Sequence, residues 1–324
     1  MFRPRPRAAA HNAAARYRNP LSLALLLGVA SCGRQDPNLS PVLETFARSG
    51  HGPGELSYPR AGVALDDQLF VVDKTGRIQR FDARGAPLGA WRMPEIDAGK
   101  PTGLGADAHG HIYAADTHYG RVIVFDRDGR EFARFGSFGE GPGQFKLPTD
   151  VAVAADGSIY VSEYGGNDRV SKFSPRYDYL FSFGGRDAGA ARLERPQSLC
   201  VAPDQTLWVA DACRHRICHF GPDGSFLGCF GELGSQPGQL RFPYSIDRLP
   251  DGSLVVAEYG NNRIQRFSER GESLGVWGGA GREPGQVAYP WQAIALPAGR
   301  VAVIDSGNNR IQVFDAASSR AWRR

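Results

Sequence analysis

Methionine and lysine are nearly missing from this chain of 324 residues, which has two of the first and four of the second (Lys74, Lys100, Lys146 and Lys172). Glycine is abundant at 41 residues and aromatics make up 10%, so short strands and tight turns are expected rather than long helices. No run of 18 apolar residues occurs, and nothing reads as a membrane-spanning helix. A P-loop and a Rossmann glycine cluster are also missing, which removes the phosphate-loop and dinucleotide-binding classes those motifs mark. No RING-type zinc spacing and no kinase-domain pattern is present.

What is there begins with a leader. Arg3, Arg5, Arg7, Arg16 and Arg18, with no acidic residue among them, precede the apolar run Leu21–Ala30, the order of parts in a secretory signal. The run ends VASC at Val29–Cys32, which resembles the bacterial lipobox, whose cysteine is diacylated and becomes the new N-terminus. Residues 1–31 are therefore expected to be a lipoprotein signal peptide, Cys32 the lipidation site and 32–41 a short linker. Gly33 stands where an aspartate would retain such a protein at the inner membrane. The resemblance thus implies a cell-envelope location, lipid-anchored in the outer membrane and facing the periplasm. Loss of residues 1–31 takes five arginines from 38 basic residues and none from the 34 acids, so the formal charge moves from +4 to near −1. With no residual positive field, nucleic acid is not an expected partner, and contact with the membrane is expected through the anchor only. Residues 321–324 read as a solvated basic tail.

The remainder repeats. EYGNNRIQRF at 258–267 returns as DSGNNRIQVF at 305–314, and six units open on Pro59, Pro101, Pro148, Pro196, Pro243 and Pro290, spaced by 42, 47, 48, 47 and 47 residues. Each unit reads as four short strands with turns between them, a period in the forties that marks a propeller blade. An acid followed by an arginine recurs in all six: Asp73/Arg77, Asp116/Arg121, Glu163/Arg169, Asp211/Arg216, Glu258/Arg263 and Asp305/Arg310. The expected role is to tie down the turn between second and third strands by a charge-assisted hydrogen bond. The units resemble NHL repeats over Leu43 to about Arg320, and four linkers carry the family's glycine-rich pattern (GPGEL at Gly52, GPGQF at Gly141, PGQL at Pro237 and PGQV at Pro284).

The sixth unit lacks its last aromatic strand, while VLETFARSGHGPGELSYP at 42–59 matches a fourth strand and linker. The expected fold is thus an all-β six-bladed β-propeller spanning 42–320, of four-stranded blades, closed by the N-terminal strand completing the last blade.

In such a ring the turns between second and third strands share a face with the linkers that join blades. Arg60, Thr102, Thr149, Gln197, Tyr244 and Trp291 follow the opening prolines and break the repeat there. With Asp150, and with Lys74, His118, Tyr164, His215 and Tyr259 from the neighbouring turns, they outline a ligand-binding mouth. The expected role is a binding or scaffold module for a protein partner or a small ligand, acting as a monomer. The enzymatic alternative is a metal-dependent lyase or lactonase. Peptidylglycine amidating lyases, which resemble the chain in fold, place histidine after the opening proline in three blades to hold zinc; none of the six positions here is histidine. No catalytic residue, metal ligand or cofactor is identified. CRHRICH at Cys213–His219 has four residues between its cysteines, where haem attachment has two, and it lies in the repeat register. Apart from Cys32, every cysteine falls in blade 4; Cys218 and Cys229 are the favoured disulfide pair and Cys200 reads as a buried thiol. Asp247 and Arg248, on the inner strand of blade 5, are expected to neutralise one another.

Overall fold

A computed structural model describes residues 42–317 and 322; the signal peptide, the linker, Cys32, Arg323 and Arg324 lie outside the described residues. Glycines in the turns make the reversals sharp. In the DG turns of blades 3 and 5, for example, Gly157 and Gly252 take φ of 81° and 90°, where a side chain would be strained. Between the turns, each unit folds into a four-stranded antiparallel sheet, and six such sheets form. Blade 1, for instance, comprises Pro59–Leu65, Gln68–Asp73, Arg77–Phe81 and Pro87–Arg92. Blade 6 comprises Pro290–Leu296, Arg300–Asp305 and Arg310–Asp315, and Val42–Phe46 pairs antiparallel with the last of these. The six-bladed ring and its closure by the N-terminal strand are as the repeat phase implies.

Both faces of each sheet are apolar, so the hydrophobic core is split into six parcels, one between each pair of neighbouring blades. Phe70, Val72 and Ile78 of blade 1 meet Leu104, Ile112 and Ile123 of blade 2. Leu69 and Phe81 meet Ile294, Ile304 and Ile311 across the closing junction. Phe46 packs against Phe81 at 5.5 Å between ring centroids, so the closing strand is tied to blade 1 as well as to blade 6. A single blade could bury neither face, which makes stability a property of the ring.

The six acid–arginine pairs all form, with every acid fully buried. Their reach is wider than the turn they were expected to hold. Glu258 accepts from Arg263 Nε at 2.5 Å and also from the backbone N–H of Arg241, in the linker that enters blade 5. Arg263 in turn donates to the carbonyls of Ser235, Gln236 and Gln239 in that same linker. Gln265, two residues on, accepts from Gly238 N at 2.7 Å and donates to the Gln239 carbonyl. The set recurs in blade 6 with Asp305, Arg310 and Gln312, and in blade 1 with Asp73, Arg77 and Gln79. Thus R-I-Q holds the glycine-rich linker, and the two repeated motifs are halves of one clamp. The first asparagine of NNRIQ joins it: Asn261 donates to Gly234 O and Asn308 to Gly281 O.

Around the axis, neighbouring inner strands are stitched by side chains. Asp150 accepts from Leu199 N, Ser245 from Ala293 N, Asp247 from Ala295 N and Gln292 from Gly62 N, at 2.7 to 2.9 Å. Between blades 2 and 3 the strands run too close for side chains: a Cβ on Gly103 or Gly105 would lie 2.2 Å from a carbonyl of blade 3.

Two stability outcomes are expected. Replacing Arg263 with leucine strands the buried Glu258 carboxylate and lowers the unfolding free energy by about 3–5 kcal/mol, whereas Arg134→Ala, at an exposed pair with Glu131, costs about 1 kcal/mol or less, both read by urea denaturation. Deleting residues 42–47 bares the blade 6 edge and removes Phe46 from the closing core, lowering Tm by about 10 °C in calorimetry.

Candidate functional site

The second asparagine of each NNRIQ leads to the mouth. Asn262 and Asn309 adopt left-handed φ of 51° and 55°, and their Oδ1 atoms accept the backbone N–H of Tyr289 (2.7 Å) and Tyr58 (2.6 Å) in the next blade. His215 Nδ1 and Asp168 Oδ1 do the same for Phe242 and Arg195. Those four recipients directly precede opening prolines, and all four are left-handed, with φ of 48° to 58°. A bulky residue in that region is a backbone outlier that persists only when its surroundings impose it. Here a hydrogen bond from the preceding blade imposes it, and it turns Tyr58, Arg195, Phe242 and Tyr289 out at the mouth.

These side chains join the positions singled out after the prolines. Tyr244 and Tyr259 stack with centroids 4.5 Å apart, and both rings approach Trp291 edge-on, at 5.1 and 5.9 Å. Tyr58 meets Trp291 at 6.2 Å, and its hydroxyl hydrogen-bonds that of Tyr259 at 3.0 Å. Arg60 lies over Trp291 with its guanidinium carbon 5.6 Å from the ring centroid. Arg195 lies between Tyr164 and Tyr244 at 5.0 and 5.4 Å. Sequence reading had found Arg60, Tyr164, Tyr244, Tyr259 and Trp291, but it missed Tyr58, Arg195 and Tyr289. The signal for these was an aromatic or arginine directly before a proline, preceded one blade earlier by an asparagine or aspartate in the turn.

Arg60 stands apart electrostatically. It is half-buried, no carboxylate pairs with it among the described residues, and its Nε is buried with no acceptor. Burial pulls its guanidinium below the ordinary range, and Arg60, after burial, helps hold the nearby His118 imidazole low.

The remaining singled-out residues are more embedded. Thr149 is buried and spends its hydroxyl on Ser162 and the Pro196 carbonyl. Gln197, also buried, accepts from Arg195 Nε at 3.3 Å. Thr102 faces Thr117. Lys74 is exposed and His215 is occupied by Phe242. Thr102, Asp150, Gln197, Tyr244 and Trp291 line a space of about 10 Å³, room for one water, so the channel is narrow directly beneath the mouth.

Below this constriction a cavity of about 350 Å³ runs along the axis, lined by aliphatic residues together with Asp150, Cys200, Asp247, Arg248 and Gln292. Burial pushes the Asp150 carboxyl up to about 7 against the pull of the Leu199 and Val151 amides, and the charge of Asp247 adds to the rise. Asp247 is raised by burial too, and Cys200 Sγ donates to it at 3.7 Å. The expected pairing of Asp247 with Arg248 does not occur: Arg248 reaches Glu269 at 2.9 Å. Consecutive residues on a strand point to opposite faces, so the two side chains diverge. Cys218 and Cys229 lie opposite one another on the outer strands of blade 4 and are joined in a disulfide, while Cys200 and Cys213 are free. Trp322, in the stretch read as a solvated tail, is buried against Phe314. GESLG at Gly271–Gly275 matches a G-x-S-x-G pattern, but Ser273 opens the outer strand of blade 5 and donates to Gln265, outside the strand–turn–helix setting of a nucleophile elbow. No group of three or more His, Cys, Asp or Glu side chains converges among the described residues, so no step is derived through a metal.

Fold and mouth define a six-bladed β-propeller with an aromatic, arginine-bearing face. Comparison with known proteins places an NHL repeat at residues 193–220. The chain is 28% identical over 115 residues to Protein brain tumor of Drosophila melanogaster, and 31% identical over 129 residues to the peptidylglycine alpha-amidating monooxygenase of Rattus norvegicus. These stretches span 35% and 36% of this chain but only 11% and 13% of those proteins. Among solved structures, a gluconolactonase from Xanthomonas campestris superposes with a TM-score of 0.61 at 16% identity, covering 81% of this chain and 87% of that one. A virginiamycin B lyase from Staphylococcus aureus gives 0.57 at 16% identity, covering 80% and 84%. At such identities the likeness is one of fold alone.

The buried Asp150 carboxyl gives a pH prediction. Its folded pKa, about 7, lies above the unfolded value of roughly 3.9, so its contribution is complete below pH 4 and is lost as pH rises through 7. The stability of the natural protein relative to Asp150→Asn should therefore fall between about pH 4 and 7, as followed by paired denaturation curves; a constant difference would contradict the assignment.

Proposed function

We propose that the protein is an exported, lipid-anchored propeller that binds a small ligand at its mouth. The observation that carries this reading is the gathering of Tyr58, Tyr244, Tyr259 and Trp291 around a half-buried Arg60 that has no acceptor. Left-handed backbone at four positions of the same face supports it, because strain of this kind collects at functional sites. Export rests on the basic and apolar leader, and anchoring on VASC at 29–32; a disulfide between Cys218 and Cys229 suits an oxidising compartment. The lyase and lactonase alternative draws on fold likeness and gains no support from the residues of the mouth.

Equilibrium dialysis of the purified protein against the small-molecule fraction of its host, followed by mass spectrometry, tests the binding reading. At least one species should be retained by the natural protein and lost from Trp291→Leu; retention of nothing that depends on Trp291 refutes the reading. For the anchor, Cys32→Ala should move the protein from the membrane fraction to the soluble envelope fraction and remove the mass of the acyl chains from its N-terminal peptide.

A further inference from the structure

The charge and shape of the mouth narrow the class of ligand. We infer that the mouth recognises a small organic carboxylate carrying a planar apolar ring, with Arg60 as the anchor for the acid and the Trp291–Tyr244–Tyr259 cluster as the surface for the ring. The inference rests on the binding reading above and goes further in naming the chemistry.

The acid follows from Arg60. A guanidinium offers five donors in a planar fork and cannot shed its charge in a protein, so taking it out of water without a carboxylate or phosphate partner is costly. Every arginine of the six repeat clamps meets an acid, while Arg60 meets only Trp291 and the hydroxyl-bearing rings around it. Its Nε is enclosed and unpaired. A second guanidinium of the mouth, Arg195, is likewise without a carboxylate in its stack between Tyr164 and Tyr244. What Arg60 leaves open is its charge: half-exposed and without a carboxylate partner, its guanidinium can take an acidic ligand as counter-ion.

The ring follows from the neighbours. Trp291 is half-exposed and is braced edge-on by Tyr58, Tyr244 and Tyr259, which leaves aromatic surface for stacking at low entropic cost. The phenol pair Tyr58–Tyr259 adds a hydroxyl donor beside the guanidinium. Inorganic phosphate fits poorly, since aromatic faces make up most of the surroundings of Arg60. A small molecule is favoured over a threaded chain because Tyr244, Trp291 and Gln197 narrow the channel below to room for one water.

The test uses the full-length protein and four probes: phenylacetate and indole-3-acetate as ring-bearing acids, phenylacetamide as the neutral isostere, and inorganic phosphate. Binding is followed by titration calorimetry and by tryptophan fluorescence. Both acids should bind at least about tenfold more tightly than phenylacetamide, as expected when a charge-assisted pair replaces a neutral one. Arg60→Gln should abolish that preference and Arg60→Lys should restore part of it, and Trp291→Leu should weaken acids and amide alike. Because Arg60 is unpaired, Arg60→Gln should leave Tm unchanged or raise it, which separates lost recognition from lost folding. Equal binding of acid and amide, an unaltered preference in Arg60→Gln, displacement of the acids by equimolar phosphate, or no saturable binding of either acid would each overturn the inference. If the amide binds as tightly as the acids and Trp291→Leu removes both, the mouth remains a binding site and only the carboxylate is wrong. If host molecules are also never retained through Trp291, the broader reading fails with it.

Discussion

Each blade depends on one buried carboxylate. It closes the second strand, carries no exposed surface, and is met by an arginine that in five blades also holds carbonyls of the linker entering the same blade, while in blade 2 Arg121 reaches Glu95 of that linker instead. A buried ion pair is poor evidence of stabilisation by itself, because removing two charges from water costs nearly what their attraction returns. Burial indeed keeps the carboxyls of Glu163, Asp211 and Glu258 above the ordinary range despite their arginines. What the pair supplies is register. It fixes the linker between blades to the turn between second and third strands, and those two segments form the mouth. A structural device repeated six times thus sets the positions of side chains that repeat nowhere.

Much of this was legible because a propeller writes its period into its sequence. Prolines 47 or 48 residues apart in most units gave the blade count, and the phase of the missing strand gave the closure. The acid and arginine were visible as a pair, yet their reach into the linker was not, because contacts 24 to 28 residues apart leave no local pattern. Gln265 and Gln312 looked like ordinary strand residues until Gly238 and Gly285 were found beside them. The pairing of Asp247 with Arg248 failed for an elementary reason: strand alternation sends neighbours to opposite faces, so adjacency in sequence is separation in space. Tyr58, Arg195 and Tyr289 escaped because a residue before proline is expected in extended backbone, with its side chain elsewhere. Only the hydrogen bond donated to a side chain of the preceding blade holds them left-handed.

The mouth is lopsided, and the lopsidedness carries meaning. Blades 4, 5, 6 and 1 present Arg195, Tyr244, Tyr259, Tyr289, Trp291, Tyr58 and Arg60, whereas after their opening prolines blades 2 and 3 present the small Thr102 and Thr149, whose hydroxyls are spent on the scaffold, and blade 3 adds Tyr164 alone, against Arg195. A ring kept for its own stability would have no reason to hold four residues in a strained conformation on the same arc where it leaves a cation unpaired. Both features oppose folding, and both are borne by a scaffold whose six clamps and six interlocking cores hold them in place. Features that cost stability and cluster on one arc point to selection for something other than stability. The clamp therefore has two consequences of one cause: by fixing the linkers it makes the ring rigid, and by making the ring rigid it holds Arg60 half-buried at the mouth without a carboxylate partner.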